Sequence, residues 1–292
     1  MKTILLIMGL TVACCSGGAA ATLTESTFTE IINEVNTLSA DGGAASAKLN
    51  DILKAPERVR TGPQSRAELT ASDKTITRVG ANTVFSYADS GRTLNLEQGN
   101  LLFHAPKGLG GGTIKSGGAA AAVLGTTLIV SATTGGGFKV ILLEGKGKVT
   151  LPNGNAAKLK AGQEVFVLPG GKELSTVLNI NLARLVKGSL LVSGFSHELS
   201  SLPLITIAIQ IQNSKIKSGV ATDTGLPPEF FLPSPPPGNG LGVIDPATYQ
   251  TAVHPPLSNA QFQSLFGPPT SDFPKVGGPG GRGIIIPPAL GN

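Results

Sequence analysis

The chain has 292 residues, 23 lysines and arginines against 18 acids for a net charge of +5, 39 glycines, 21 prolines and no tryptophan. That composition suits many short strands joined by tight turns, and its scattered lysines lack the aromatic-interleaved basic stripe of a nucleic-acid footprint. The only cysteines, Cys14 and Cys15, stand side by side near the N-terminus, so the rest of the chain is expected to have no disulfide and no thiol chemistry.

Residues 1–21 have the layout of a secretory signal peptide: Lys2, an apolar run from Ile4 to Val12, then small residues to Ala21. The run is about half the ~20 residues that a membrane-spanning helix needs. Two processing readings stay open. Ala19-Ala20-Ala21 offers an A-x-A site before Thr22, whereas Thr11-Val12-Ala13-Cys14 resembles a lipobox and would leave Cys14 as a lipidated membrane tether. Both predict a periplasmic or extracellular protein.

From Thr22 to Ser39 the pattern fits either a helical stripe (Phe28, Ile31, Ile32, Val35, Leu38) or β-alternation, and a second strand is expected around Lys48 to Leu53. Between Val59 and Pro169 alternation predicts strands at Arg66–Leu69, Thr75–Val79, Thr83–Tyr87, Thr93–Leu96, Asn100–Phe103, Lys139–Leu143, Lys148–Leu151 and Glu164–Leu168. Leu124 to Val130 is continuously apolar, as in a strand buried on both faces. Turn signals intervene, including Ser90-Gly91, Gln98-Gly99 and Pro152-Asn153-Gly154. The fold class expected is all-β, an antiparallel sandwich or roll, jelly-roll-like or a short solenoid.

Two short helices are predicted next, Asn181–Val192 with Asn181 as cap and Leu199–Gln212, packing on an end or edge of the sheet. Beyond Ser218 repeated prolines and glycines predict a disordered tail. The expected organisation is thus a signal peptide at 1–21, a β domain at 22–171, a helical extension at 172–217 and a Pro/Gly-rich tail at 218–292.

The β region resembles the FecR-type periplasmic sensor domain family. The resemblance rests on ordered short motifs: Val59-Arg60-Thr61-Gly62 with Ser65, Ala67 and Leu69; Val79-Gly80-Ala81-Asn82-Thr83; Leu94 to Phe103; Leu124-Gly125-Thr126-Thr127-Leu128-Ile129-Val130; and Leu143-Glu144-Gly145 through Gly162-Gln163. It favours strands over a helix before Lys54. In that family the domain relays a signal, often iron-siderophore status, from an outer-membrane transporter to a cytoplasmic sigma factor. The expectation here is a free-standing FecR-domain protein without the cytoplasmic anti-sigma segment, which leaves the iron role open. Thr61, Gly62, Gly99, Gly125, Thr126, Gly145 and Gly162 are expected to shape turns and corners rather than to react.

No catalytic, cofactor-binding or metal-binding residues are assigned. His104, His197 and His254 have no nucleophile motif beside them. Glu68, Asp73, Glu97, Glu144 and Glu164 are expected on solvated faces or turns, and Lys107-Gly108-Leu109-Gly110-Gly111-Gly112 lacks the ending of a phosphate loop. Lys139, Lys146, Lys148, Lys158 and Lys160 are candidates for a basic face, or simply solubilising charges. The function expected is a non-enzymatic binding, scaffold or sensor module of the bacterial envelope, with another envelope protein or a glycan as partner, no cofactor and no nucleic acid. The alternatives are a carbohydrate-active enzyme on a β-sandwich and a signalling subunit served by a separate membrane protein.

Overall fold

The structure, a computed structural model, describes residues 21–168 and 171–218. All of the predicted signal peptide but Ala21, with Cys14, and all of the predicted tail but Ser218 lie outside the described residues, as does His254.

Among the described residues seventeen strands precede three helices. They are β1 (Glu25–Ile32), β2 (Val35–Leu38), β3 (Ala44–Ser46), β4 (Ile52–Lys54), β5 (Arg58–Thr61), β6 (Arg66–Thr70), β7 (Ile76–Val79), β8 (Val84–Tyr87) and β9 (Thr93–His104). Then come β10 (Gly112–Ser116), β11 (Ala119–Val123), β12 (Thr127–Ala132), β13 (Phe138–Glu144), β14 (Lys146–Thr150), β15 (Ala156–Lys160), β16 (Gln163–Val167) and β17 (Leu178–Asn179). The helices are α1 (Leu182–Gly188), α2 (Leu190–Ser193) and α3 (Leu202–Lys217).

The strands form two layers that share β9. One layer runs β4-β1-β6-β7-β9-β12-β13-β16-β17. The other runs β3-β2-β5-β8-β9-β10-β11-β14-β15, with β9–β10 parallel and its other pairs antiparallel. From β10 onward the chain lays one hairpin in the second layer, the next in the first, and so on to β17. The fold is therefore mostly β with mixed pairing, and its predicted class holds.

Alternation explains how the layers close. Leu101, Phe103, Leu128, Val130, Val140 and Leu142 point into the core shared with Leu94, Ile114, Ala121, Val149 and Leu159 of the second layer. Their neighbours Leu102, Ile129, Ile141 and Leu143 point the other way, into a second core with Leu182, Leu185, Leu191 and Ile205 of the helices. The first layer is thus covered on both faces and the second on one, so we call them the covered and the open sheet. The helices lie on a sheet face rather than on an edge, because these four apolar side chains would otherwise meet water.

Four expectations are corrected. Gln98-Gly99 is no turn: β9 runs unbroken through it, pairing first in the open sheet and then in the covered one. Gly99 makes that passage with φ +91°, and a Cβ there would stand 2.5 Å from the Cα of Thr83. The apolar run starting at Leu124 enters its strand only at Thr127. Leu124 is 73% exposed at the corner between β11 and β12, where Gly125 adopts φ +62°. The single helix expected at Asn181–Val192 is two, since Ser189 is extended (φ −81°, ψ 119°), although Asn181 does cap α1 by accepting from the Arg184 N–H at 2.9 Å. The last helix starts three residues later than expected and continues to Lys217, with proline in its first turn.

Candidate functional site

The interior polar groups decide which surfaces are left to meet a partner. Arg78 of β7 is fully buried. Its Nε donates to Glu68 Oε2 at 2.8 Å, and its two terminal nitrogens donate to the carbonyls of Leu191, Val192 and His197 at 3.2, 2.8 and 2.6 Å. The ring of Phe195 lies 4.4 Å from the guanidinium. Thr29 holds the other Glu68 oxygen at 2.8 Å. These four bonds from one guanidinium fasten the end of α2 and the segment after it to the covered sheet.

A second cluster fastens α3. The Thr127 hydroxyl lies 2.9 Å from His104 Nδ1, 2.9 Å from Glu144 Oε1 and 2.8 Å from the hydroxyl of Ser201, the residue that precedes α3. Serine, histidine and a carboxylate invite comparison with a hydrolase site. The hub, however, is threonine, each of the four residues is at most 6% exposed, and Ser201 bonds to Thr127 rather than to a base. Burial lowers the His104 pKa and raises that of Glu144. In both cases burial disfavours the charged form, as expected in a cluster shut away from water.

The third group is Glu164 of β16, on the same face as Lys139 of β13 two register positions away. Burial pushes Glu164 up to about 7, against the pull of the Lys139 ammonium. Its folded pKa exceeds the ordinary 4.5, so the stability it contributes is complete below about pH 4.5 and is lost as pH climbs to about 7. His104 works in the opposite sense, its contribution lost as pH falls below 6.5. Denaturant melts across this window should therefore show a downward stability slope in the wild type relative to Glu164→Gln. An unchanged slope in the variant would show that Glu164 does not titrate there.

Three carboxylates expected on the surface, Glu68, Glu144 and Glu164, are thus buried, as is Lys139. Apolar neighbours in sequence could not reveal this, since a buried charge is tolerated only by its tertiary partner. Asp73 pairs with Arg92 at 2.7 Å and Glu97 with Arg58 at 3.4 Å. His197 is exposed beside Ser196.

Apart from Gly99, which lies within β9, the motif residues sit at strand ends and corners. Thr61 donates to the Gly80 carbonyl at 2.6 Å and accepts from Thr83 N–H at 2.9 Å. Gly62 donates to the Glu34 carbonyl. Thr126 donates to the Lys146 carbonyl at 3.1 Å, beside Gly145. Gly162 lies under Gln212 of α3, which donates to the Ile180 carbonyl at 2.6 Å and accepts from Leu182 N–H at 2.9 Å. Each links strands or layers, and none borders the groove described next.

What faces solvent is the outer side of the open sheet. It presents Arg58 and Arg60 from β5, Asn95 and Glu97 from β9, Lys115 from β10, Ala120 and Ala122 from β11, and lysines 146, 148, 158 and 160 from β14 and β15. A shallow groove of about 500 Å³ opens at its margin, lined by Asn95, Glu97, Lys115, the Gly117-Gly118 turn and Thr133–Thr134. The strands β10, β11 and β15 that build much of this face have no strong signature in sequence, because alanine and glycine are poor strand formers.

The FecR family, described as FecR protein, matches residues 57–165. The resemblance to FecR over this segment is thus found independently of the motifs. The match runs from the residue before β5 into β16, so the matched segment includes β9 with its Gly99 passage and all four open-sheet lysines of β14 and β15. The strands β1 to β4 and the three helices lie outside it. A search of curated proteins found no match. Among solved structures, two crystal structures of a "putative anti-sigma factor" from Parabacteroides distasonis ATCC 8503, at 1.65 and 2.50 Å resolution, are similar at 19% identity and TM-score 0.39. Each is matched over 46% of this chain, which spans 66% and 65% of their respective lengths.

Proposed function

We propose that this chain is a non-enzymatic binding or sensor module of the bacterial cell envelope, exported by its N-terminal segment and acting through contact with another envelope component. The FecR match at 57–165 carries the reading. The interior supports it, since the clusters around Arg78 and Thr127 are engaged in tying helices to sheet. Among the described residues no helix is long and apolar enough to cross a membrane. In this proposal residues 1–21 direct export, 22–171 form the β domain, 172–217 cover it and 218–292 supply reach.

Intact mass and crosslinking of the protein in its native host test the proposal together. Mature protein is expected to lack at least Met1 to Ala13, and an acyl mass on Cys14 would identify a lipoprotein. Crosslinking in the intact envelope should trap a defined partner through the β domain. Retention of Met1 to Ala21, with the protein in the cytoplasm, would overturn the envelope reading.

A further inference from the structure

The positive charge of this chain is segregated. Between Glu97 and Glu164 stands a single acid, the buried Glu144, against seven lysines, a surplus larger than the +5 of the whole protein. Four of the seven form a two-by-two array on β14 and β15, where Lys146 pairs with Lys160 and Lys148 with Lys158 in direct register. All four are exposed, and among the described residues none forms an ion pair. Like charges directly opposite each other weaken strand pairing, so the array costs stability unless anions lie between its rows. Lys115 extends it toward the groove.

We infer that the outer face of the open sheet binds a linear acidic polysaccharide, one carrying carboxylates on successive sugars. The lysines repeat about 5 Å across strands and about 7 Å along them, a spacing matched to a chain of ring-sized anionic units. The side chains between them are small, namely Thr113, Ala120, Ala122, Thr150 and Ala156, so an extended polymer can lie flat. The same smallness disfavours other polyanions. A lipid surface would be gripped by apolar side chains inserted beside the charges, and single-stranded nucleic acid by aromatic stacking platforms. This part of the face has no aromatic side chain, and its exposed Leu124, at the corner after β11, is a single side chain rather than an inserting apolar patch. The groove adds Asn95, Thr133 and Thr134 for sugar hydroxyls.

The inference rests on reading the chain as a binding module, yet the two can fail separately. Purified full-length mature protein is titrated with polygalacturonate at low ionic strength, with dextran as the neutral control. The quadruple variant K146Q/K148Q/K158Q/K160Q should lose at least about tenfold in affinity, and the equally discharged K172Q/K187Q/K215Q/K217Q less than about threefold, since only ions released from the contact face count. If the quadruple variant melts early, the pairs K146Q/K148Q and K158Q/K160Q replace it, each expected to show part of the loss. Equal losses in the face and control variants would reduce the effect to net charge and overturn the inference. So would tighter binding to phosphatidylglycerol vesicles or single-stranded DNA than to polygalacturonate. Unchanged polygalacturonate binding with new self-association would overturn it too, leaving the lysines as guards of the β15 edge. A crosslinked protein partner with no polygalacturonate binding would remove the glycan and keep the module.

Discussion

Replacing Arg78 by alanine is expected to destabilise the protein by about 3–5 kcal/mol, the range for removing one partner of a buried ion pair. The magnitude follows from what is left behind. Glu68 would keep a single hydroxyl partner, Thr29, inside a layer that excludes water. The carbonyls of Leu191, Val192 and His197 would lose their donors together. Arg78→Lys should recover only part of the loss, because an ammonium on a single stem cannot serve four acceptors spread around a planar fork. Denaturant melts measure the cost, and hydrogen exchange locates it. Exchange should quicken first across residues 189–198, while β6 and β7 stay protected. A loss below about 1 kcal/mol, the lower bound for stranding a buried polar group, would mean that water reaches this site and that the helices are not fastened as described.

Leu128→Ala and Ile129→Ala should each cost about 2–5 kcal/mol, the range for truncating a fully buried aliphatic side chain. Both are 0% exposed, yet they are neighbours facing opposite ways and so report on different interfaces. Leu128 lies in the core between the two sheets, and its loss should weaken the whole β structure. Ile129 lies between the covered sheet and the helices, and its loss should loosen α1 and α3 first. A cost for Ile129→Ala below about 0.5 kcal/mol, within the range of surface sites, would show that the helices do not seal that face. These results would also test the proposed boundary at residue 172, since a covered sheet depends on residues beyond it.

The sequence by itself determined the β class, most strand positions and the Asn181 cap, because alternation, turn residues and capping are local properties that neighbouring side chains report. The ordered motifs around Thr61, Gly99 and Gly125 marked the segment that the FecR family matches. Only the tertiary structure decided which sheet each strand joins, since a period of two specifies two faces but not what covers them. Gln98-Gly99 has the composition of a turn, and nothing short of the close approach to Thr83 shows that β9 passes straight through from one sheet to the other. The buried Glu68, Glu144, Glu164 and Lys139 were equally hidden. A charge enters a core only where a partner distant in sequence compensates its desolvation, as Arg78 does for Glu68 and Lys139 for Glu164. The same separation of distant residues produced the lysine array. Lys146 and Lys160 are scattered charges along the chain, and they become one surface only because a hairpin sets β14 beside β15 in register.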